Sequence, residues 1–509
     1  MDRIDQIAFE MDSLYKNLLT HKWVQYTTGF DLGVSQAQAS LNTFKKEPES
    51  FRTICQTLEK ASNPLDQRKA RILYGYFKPF HQSEKVQKLL EKSQNLENSI
   101  MDLVNKYRAK IDEKEMSSLE INKILSQSSD QNLRKKAYIS RIPLNQIIVD
   151  AGFLKLLDIR KELALASGYE NFIDYKLDEQ DLKSNLFDDW KTLCRQRVSR
   201  YKQKEKRLAQ KYLNTEDLQP WDYGFLKSQI CSYNQTQVDL TNFYEPISKI
   251  FLKHGFEINK LNLTYDIFPR KNKSEWGYNF NIGIGKDSRI LANVSNRFSN
   301  YWVLLHETAH GVHFMGLNSE ENAFNYGVSG IVAEGFANYF GNLSYSKEFL
   351  NEVLSPEIAD KSLADFQQLE QFMHFQNYQS ISDILFDQEL YIKDFNSEKD
   401  IQDLRQDMNS QITGESANEI PWARLIHHTS APIYLHNYFL GDIMCENMKT
   451  IFKKHNSGKT ADQEPLKFGN FWKEQVLAPS GRYSFLELYE KVCKEKISIV
   501  EYLDNKCLA

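Results

Sequence analysis

The residues with the clearest chemical potential lie in Tyr301–Gly316, YWVLLHETAHGVHFMG. Within it, His306-Glu307-Thr308-Ala309-His310 fits H-E-x-x-H. On a helix, side chains four apart share a face, so the two imidazoles can bind one metal ion from the same side. Glu307 sits one step round, within reach of a water on that ion. Trp302, Val303, Leu304 and Leu305 predict a helix buried in the interior, with Ser299 as its N-cap. Such a motif also arises by chance. It needs a third ligand, a neighbouring strand and transition-state donors from elsewhere in the chain.

A hydrolytic zinc site takes three protein ligands and keeps one position open. Glu334 stands 24 residues beyond His310, in GIVAEGFANYFGNL. Ile331, Val332, Phe336, Tyr339 and Phe340 mark that segment as a buried helix. A buried carboxylate needs a partner, and a metal ion is one; a solvent-facing carboxylate near a helix start is the competing reading. Asn338, one turn on, is a candidate to hold a ligand imidazole. His313, one turn beyond His310, reads as a wall residue rather than a third histidine ligand. Donors for an oxyanion are sought in Trp422–Phe439, which holds His427, His428, His436, Tyr434 and Tyr438. The chain has 11 histidines, so three within ten residues is a concentration worth a role.

The elements that must position these groups are mostly helical. Glycine (21) and proline (12) are sparse in 509 residues, which favours long helices. The length suffices for a large core and two or three lobes. Net charge is −4, from 64 basic and 68 acidic residues, and gives no reason to expect nucleic acid or an anionic membrane as partner. Six cysteines without a C-x-x-C pair are expected as reduced thiols. The N-terminus lacks an apolar signal region and no run of 18 apolar residues occurs, so a cytoplasmic protein is expected.

Residues 1–213 read as an N-terminal helical lobe and 214–509 as the catalytic region, with a soft boundary at Asn214–Trp221. Ser128-Ser129-Asp130 ahead of QNLRKKAYISR marks a capped helix start, a second helix over 150–167 stops at Gly168, and 186–213 reads as one long basic helix with a solvated face. Residues 278–282 and 289–294 alternate as strands, with Gly283 and Gly285 between them. This hairpin directly precedes the H-E-x-x-H helix. Its expected role is to offer an edge to an extended peptide; the alternative is that it only covers one side of the helix.

With these residues assembled, the sequence resembles the thimet oligopeptidase / oligoendopeptidase F family of zinc metallopeptidases, most clearly over about 215–480. The resemblance rests on HETAHGVH, where the family often has Phe-Gly or Leu-Gly in place of Thr308-Ala309, and on A-E-G-F-A around Glu334. It rests also on Pro220-Trp221-Asp222, Asp266–Lys271 and RLIHHTSAPIYLHNYFLG, and less specifically on Arg160–Tyr169. It implies a mainly α fold of two helical lobes around a deep substrate channel, with a small antiparallel β-sheet beside the H-E-x-x-H helix. It implies one Zn²⁺ on His306, His310 and Glu334, with Glu307 as general base. It implies His427, Tyr434 and Tyr438 as transition-state groups, with His428 in place of His427 if the register slips by one. The implied activity is cleavage of internal bonds in short peptides. The alternatives are a dipeptidyl carboxypeptidase resembling angiotensin-converting enzyme, and an inactive peptide-binding scaffold.

Overall fold

Few glycines and prolines interrupt the chain, and it folds as helix upon helix. The computed structural model describes residues 3–318, 320–416 and 419–509. The helices used below are α1 (Arg3–Thr28), α2 (Pro64–Phe77), α3 (Phe153–Ala166), α4 (Val198–Leu213), α5 (Asn300–Met315), α6 (Gly330–Asn342), α7 (Pro356–Glu389) and α8 (His436–His455). Strands β1 (Ala109–Ile111) and β2 (Lys114–Met116) form a small antiparallel ribbon. Strands β3 (Leu263–Asp266), β4 (Tyr278–Asn281) and β5 (Ser288–Leu291) form a second sheet in the order β3-β5-β4. The fold is therefore mainly α with small sheets, as expected. Among the described residues no helix is long and apolar enough to cross a membrane. All six cysteines are free thiols, five of them buried.

Local signals were legible where side chain meets backbone. Asp130 accepts from the N–H groups of Asn132 and Leu133, at 2.9 and 3.3 Å. Past α3, Gly168 takes φ +86°, the left-handed turn that a side chain would strain. Two expectations need correction. Residues 186–213 are not one helix: Trp190–Arg195 and α4 are separated at Gln196 and Arg197. The basic face there is partly engaged, because Arg197 and Arg200 both grip Asp504, each at 2.7 Å. Ser299 stands at the N-cap position of α5, but its hydroxyl makes no cap hydrogen bond.

The expected hairpin is present, and a third strand joins it. β4 pairs antiparallel with β5, Tyr278 opposite Leu291, and β3 pairs parallel on the far side of β5. The sheet is thus mixed rather than purely antiparallel, and β4 is an edge. One face places Phe280, Ile282 and Leu291 against Leu19, Trp23 and Tyr26 of α1. The other lies on α5. Asn279 donates to the Glu307 carbonyl at 3.4 Å, and Tyr265 of β3 shares a 3.1 Å hydrogen bond with Thr308. Thr308, the local departure from the family pattern, thereby ties the H-E-x-x-H helix to the sheet.

The main apolar core runs from Val86 to Leu508 and encloses Leu304, Leu305, Ala309 and Val312 of α5. A second core joins α1, α2 and Ala323. Helix α6 crosses α8 at two glycines: a Cβ on Gly441 would fall 2.7 Å from the Gly335 nitrogen, and one on Gly335 would fall 2.9 Å from the Gly441 carbonyl. Backbone faces backbone there, so neither side can yield by turning a rotamer. Gly441→Ala gains about 1 kcal/mol of helix propensity but suffers overpacking of about 1–3 kcal/mol or more. The clash wins: urea unfolding should show a net loss of stability. An equal or higher midpoint would show that the helices separate freely.

Candidate metal centre and active site

The site begins with α5. Its apolar face is buried, and the polar side turns His306, Glu307 and His310 into a cavity of about 540 Å³. Trp302, one turn earlier, stacks on the His306 ring at 4.9 Å and is itself anchored by Nε1 to Asn342 at 2.9 Å. The His310 ring stands nearly perpendicular to that of His306. The Nε2 atoms of the two imidazoles lie 3.2 Å apart.

Helix α6 completes the cluster. Ser329 caps it by accepting from the Ile331 N–H, and its second turn presents Glu334, 4% exposed. Glu334 Oε2 lies 3.5 Å from His306 Nε2 and 3.4 Å from His310 Nε2. The donor atoms of these three residues all fall within 4.8 Å of one another.

This triangle fits a metal ion. Ligands held at 2.0–2.1 Å on a tetrahedral zinc ion are about 3.3–3.4 Å apart, which is the spacing found. Two imidazole lone pairs and a carboxylate repel at this spacing unless a positive charge, a metal ion or a proton on an imidazole, lies between them. The Glu334 carboxyl shows the same demand: burial would raise it, but the two imidazoles outweigh burial and hold it well below the usual range. His310 is pushed up, since Glu334 outweighs the burial that would lower it. Two histidines and one carboxylate are a catalytic rather than a structural zinc set.

Around the triangle stand the other expected groups. Burial raises the Glu307 carboxyl, as does the Glu334 charge, while the two imidazoles work against them. Tyr434 donates to Glu334 Oε1 at 2.9 Å, leaving Oε2 to face the imidazoles. Tyr434 and Tyr438 both line the cavity. Burial first, and Glu334 next, hold both phenols above their ordinary value, so each keeps its proton to donate. His427 is not part of the cavity lining; its Nε2 lies 3.4 Å from Tyr438 Oη, so it meets the cavity through that hydroxyl.

The remaining candidates separate from the site. His428 is buried, with Nδ1 2.8 Å from Asp387 Oδ1. His436 is buried and packs edge-on to Phe187. His313 lines the cavity, its imidazole lowered to about 3 by burial and by His310. Asn338 does not reach a ligand imidazole: it donates to Asp442 at 2.8 Å, and His306 Nδ1 has no hydrogen-bond partner among the described residues.

Sequence reasoning missed Asp387, on α7. Besides His428 it accepts from the Ile433 N–H at 2.6 Å. Ile433 has φ +56°, a strained value for a β-branched residue. Asp387 thus holds the turn that delivers Tyr434. No local pattern points to it. Also missed was the distal cavity wall, Asp12, Tyr15, Tyr76 and Tyr326, drawn from three distant segments.

H-E-x-x-H on one helix and the distant glutamate on a crossing one make a donor set of the kind a hydrolytic metal site uses. The sequence model of peptidase family M3 matches residues 124–252. The matched stretch, about a quarter of the chain, includes Arg160–Tyr169 and Pro220–Asp222 and lies ahead of HETAH. No curated protein matches the sequence. Among solved structures, an M32 carboxypeptidase from Deinococcus radiodurans R1 superposes with TM-score 0.71 at 13% identity, over 99% of this chain and 97% of that one. PZ peptidase A superposes with TM-score 0.74 at 15% identity, over 94% and 87%. A Bacillus anthracis protein assigned to oligoendopeptidase F gives 0.69 at 14% identity, over 95% and 86%. The resemblance to the thimet oligopeptidase / oligoendopeptidase F family stands, and the fold is one that M3 and M32 peptidases share.

Proposed function

We propose that this chain is a zinc-dependent oligopeptidase that hydrolyses internal bonds of short peptides. The observation that carries the reading is the three-donor cluster of His306, His310 and Glu334 in one cavity with Glu307. Those three side chains would hold the ion, which supplies Lewis acidity and a more acidic water. Glu307 takes a proton from the water that attacks the scissile carbonyl and returns it to the leaving amine. Its raised carboxyl suits a group that must both accept and release a proton. The hydroxyls of Tyr434 and Tyr438 donate to the oxyanion as it develops. His427 orients the Tyr438 hydroxyl, and the single Tyr434 proton, given to Glu334 Oε1 in the resting site, turns to the oxyanion when that charge develops. β4, as an open edge, offers backbone groups to an extended peptide.

A second reading has support of its own, because carboxypeptidases are among the similar folds. A dipeptidyl carboxypeptidase would use the same cluster but require a free substrate C-terminus. Mass spectra of products from one blocked and one unblocked peptide separate the two. Internal cleavage that survives C-terminal amidation is the expected result; release of C-terminal dipeptides only, abolished by the amide, would replace the first reading with the second.

A further inference from the structure

The cavity extends well beyond the metal cluster. Its far wall is built from Asp12 and Tyr15 of α1, Tyr76 of α2, and Tyr326. The three rings touch: centroids are 5.6 Å apart for Tyr15–Tyr326, 5.4 Å for Tyr76–Tyr326 and 6.5 Å for Tyr15–Tyr76. Asp12 is only 9% exposed. Its carboxylate accepts from Tyr326 Oη at 3.3 Å and from the Ile284 N–H. Lys16 and Lys286 act on it from a distance, but both are exposed, and Asp12 makes no ion pair within 4.0 Å among the described residues. Burial accordingly raises its carboxyl.

A buried carboxylate on a cavity wall, without a cation, is costly to leave so. The ring faces around it carry the negative side of their quadrupoles, which attracts cations. These rings already hold one ammonium group. Lys45 Nζ donates to Tyr15 Oη at 2.8 Å and lies 4.8 and 5.4 Å from the Tyr15 and Tyr76 centroids. Lys45 is buried, is not part of the cavity lining, and is lowered to about 8 by burial. A second cation entering from the cavity side therefore needs the added negative charge of Asp12.

The position along the cleft is set by β4. Gly277 lies beside the Glu307 carboxylate, 3.4 Å from Oε1 to a Cβ placed there. Asn279, Asn281 and Ile284 continue the same wall toward Asp12. From Gly277 to Asn281 an extended chain covers about 13 Å. Antiparallel addition, the commoner pairing, puts Asp12 on the N-terminal side of the scissile bond.

The geometry points to a cation subsite: Asp12, walled by Tyr15, Tyr76 and Tyr326, takes an ammonium or guanidinium group of the peptide on the N-terminal side of the cut. This rests on reading the cavity as a peptide cleft. The group is either the free α-amine of a short peptide or a Lys or Arg side chain.

The test uses zinc-loaded protein carrying Glu307→Gln, so that peptides bind without turnover. Calorimetry compares a neutral peptide blocked at both ends with the same peptide bearing a free α-amine, and with blocked peptides carrying Lys at successive positions. At least one cationic arm should bind on the order of 10-fold tighter than the neutral peptide, and which arm does so names the source. Adding Asp12→Asn should erase that ratio, while Asp12→Glu, which keeps the charge, should retain it. Equal affinity for neutral and cationic peptides, or a preference that survives Asp12→Asn, overturns the subsite. Cleavage of the neutral peptide by the parent protein reads the peptidase function separately. Cleavage without cation preference sinks the subsite alone; neither binding nor cleavage of any peptide sinks both.

Discussion

Glu307→Gln should lower kcat/KM by about 10²–10⁴-fold while leaving one zinc ion bound per chain. Gln matches Glu in size, so the wall beside Gly277 is preserved and only proton transfer is lost. Glu307 lies outside the triangle formed by His306, His310 and Glu334, which is why metal content should not follow activity. Steady-state kinetics with elemental analysis of the same sample checks both halves. Activity within a few-fold of the parent protein would remove Glu307 from the mechanism.

Glu334→Ala should act in the opposite order, on the metal first. The variant loses the carboxylate that balances two imidazoles 3.2 Å apart. It also strands the Tyr434 hydroxyl, whose partner is Glu334 Oε1. Removing a group that merely orients a ligand typically costs 10–100-fold in metal affinity, so losing a ligand outright should cost at least about 10²-fold. Zinc titration against a competing chelator reads this directly, and peptidase activity should return only partly at high zinc. Undiminished affinity would mean that the ion sits elsewhere. Chelation of the parent protein should likewise abolish cleavage, and added zinc should restore it.

Much of the centre was legible because its information is local. The i, i+4 spacing of His306 and His310 is a property of any α-helix, and so is the placing of Glu307 one step round. Asp130 and Gly168 were readable for the same reason: a cap or a left-handed stop is decided within a few residues. Misreadings fell where a local pattern has two outcomes. Ser299 has the right type and position for a cap, yet its hydroxyl is not used. Residues 186–213 carry basic residues from Lys191 to Lys211 and no glycine or proline, so nothing in that pattern announces the break at Gln196 and Arg197.

Between His427 and His428 the resemblance favoured His427, with His428 in its place if the register slipped by one, since adjacent residues of one type look alike until their directions are known. The fold separates them: His428 turns inward to Asp387, and His427 turns to Tyr438. Asn338 and Asp442 show the converse. Asn338 lies one turn from Glu334, near enough in sequence to suggest a hold on a ligand, but its amide faces α8 instead.

The amino-acid sequence by itself determined a helical protein, one helix with candidate metal ligands and a candidate base, a further candidate donor at a suitable distance and a hairpin ahead of them. These follow from helical and strand periodicity and from the rule that a buried charge must be paired. Only the tertiary structure decided that Glu334 closes a triangle of 3.2–3.5 Å with the two imidazoles. It alone decided that β4 is an edge, that Asp387 on α7 holds the turn before Tyr434, and that Asp12 shares a cavity with the metal cluster. Those facts depend on how α6 crosses α8 at Gly335 and Gly441, and on where α1 lies across the sheet. Such contacts join residues from about fifty to more than two hundred positions apart, and no periodicity along the chain encodes them.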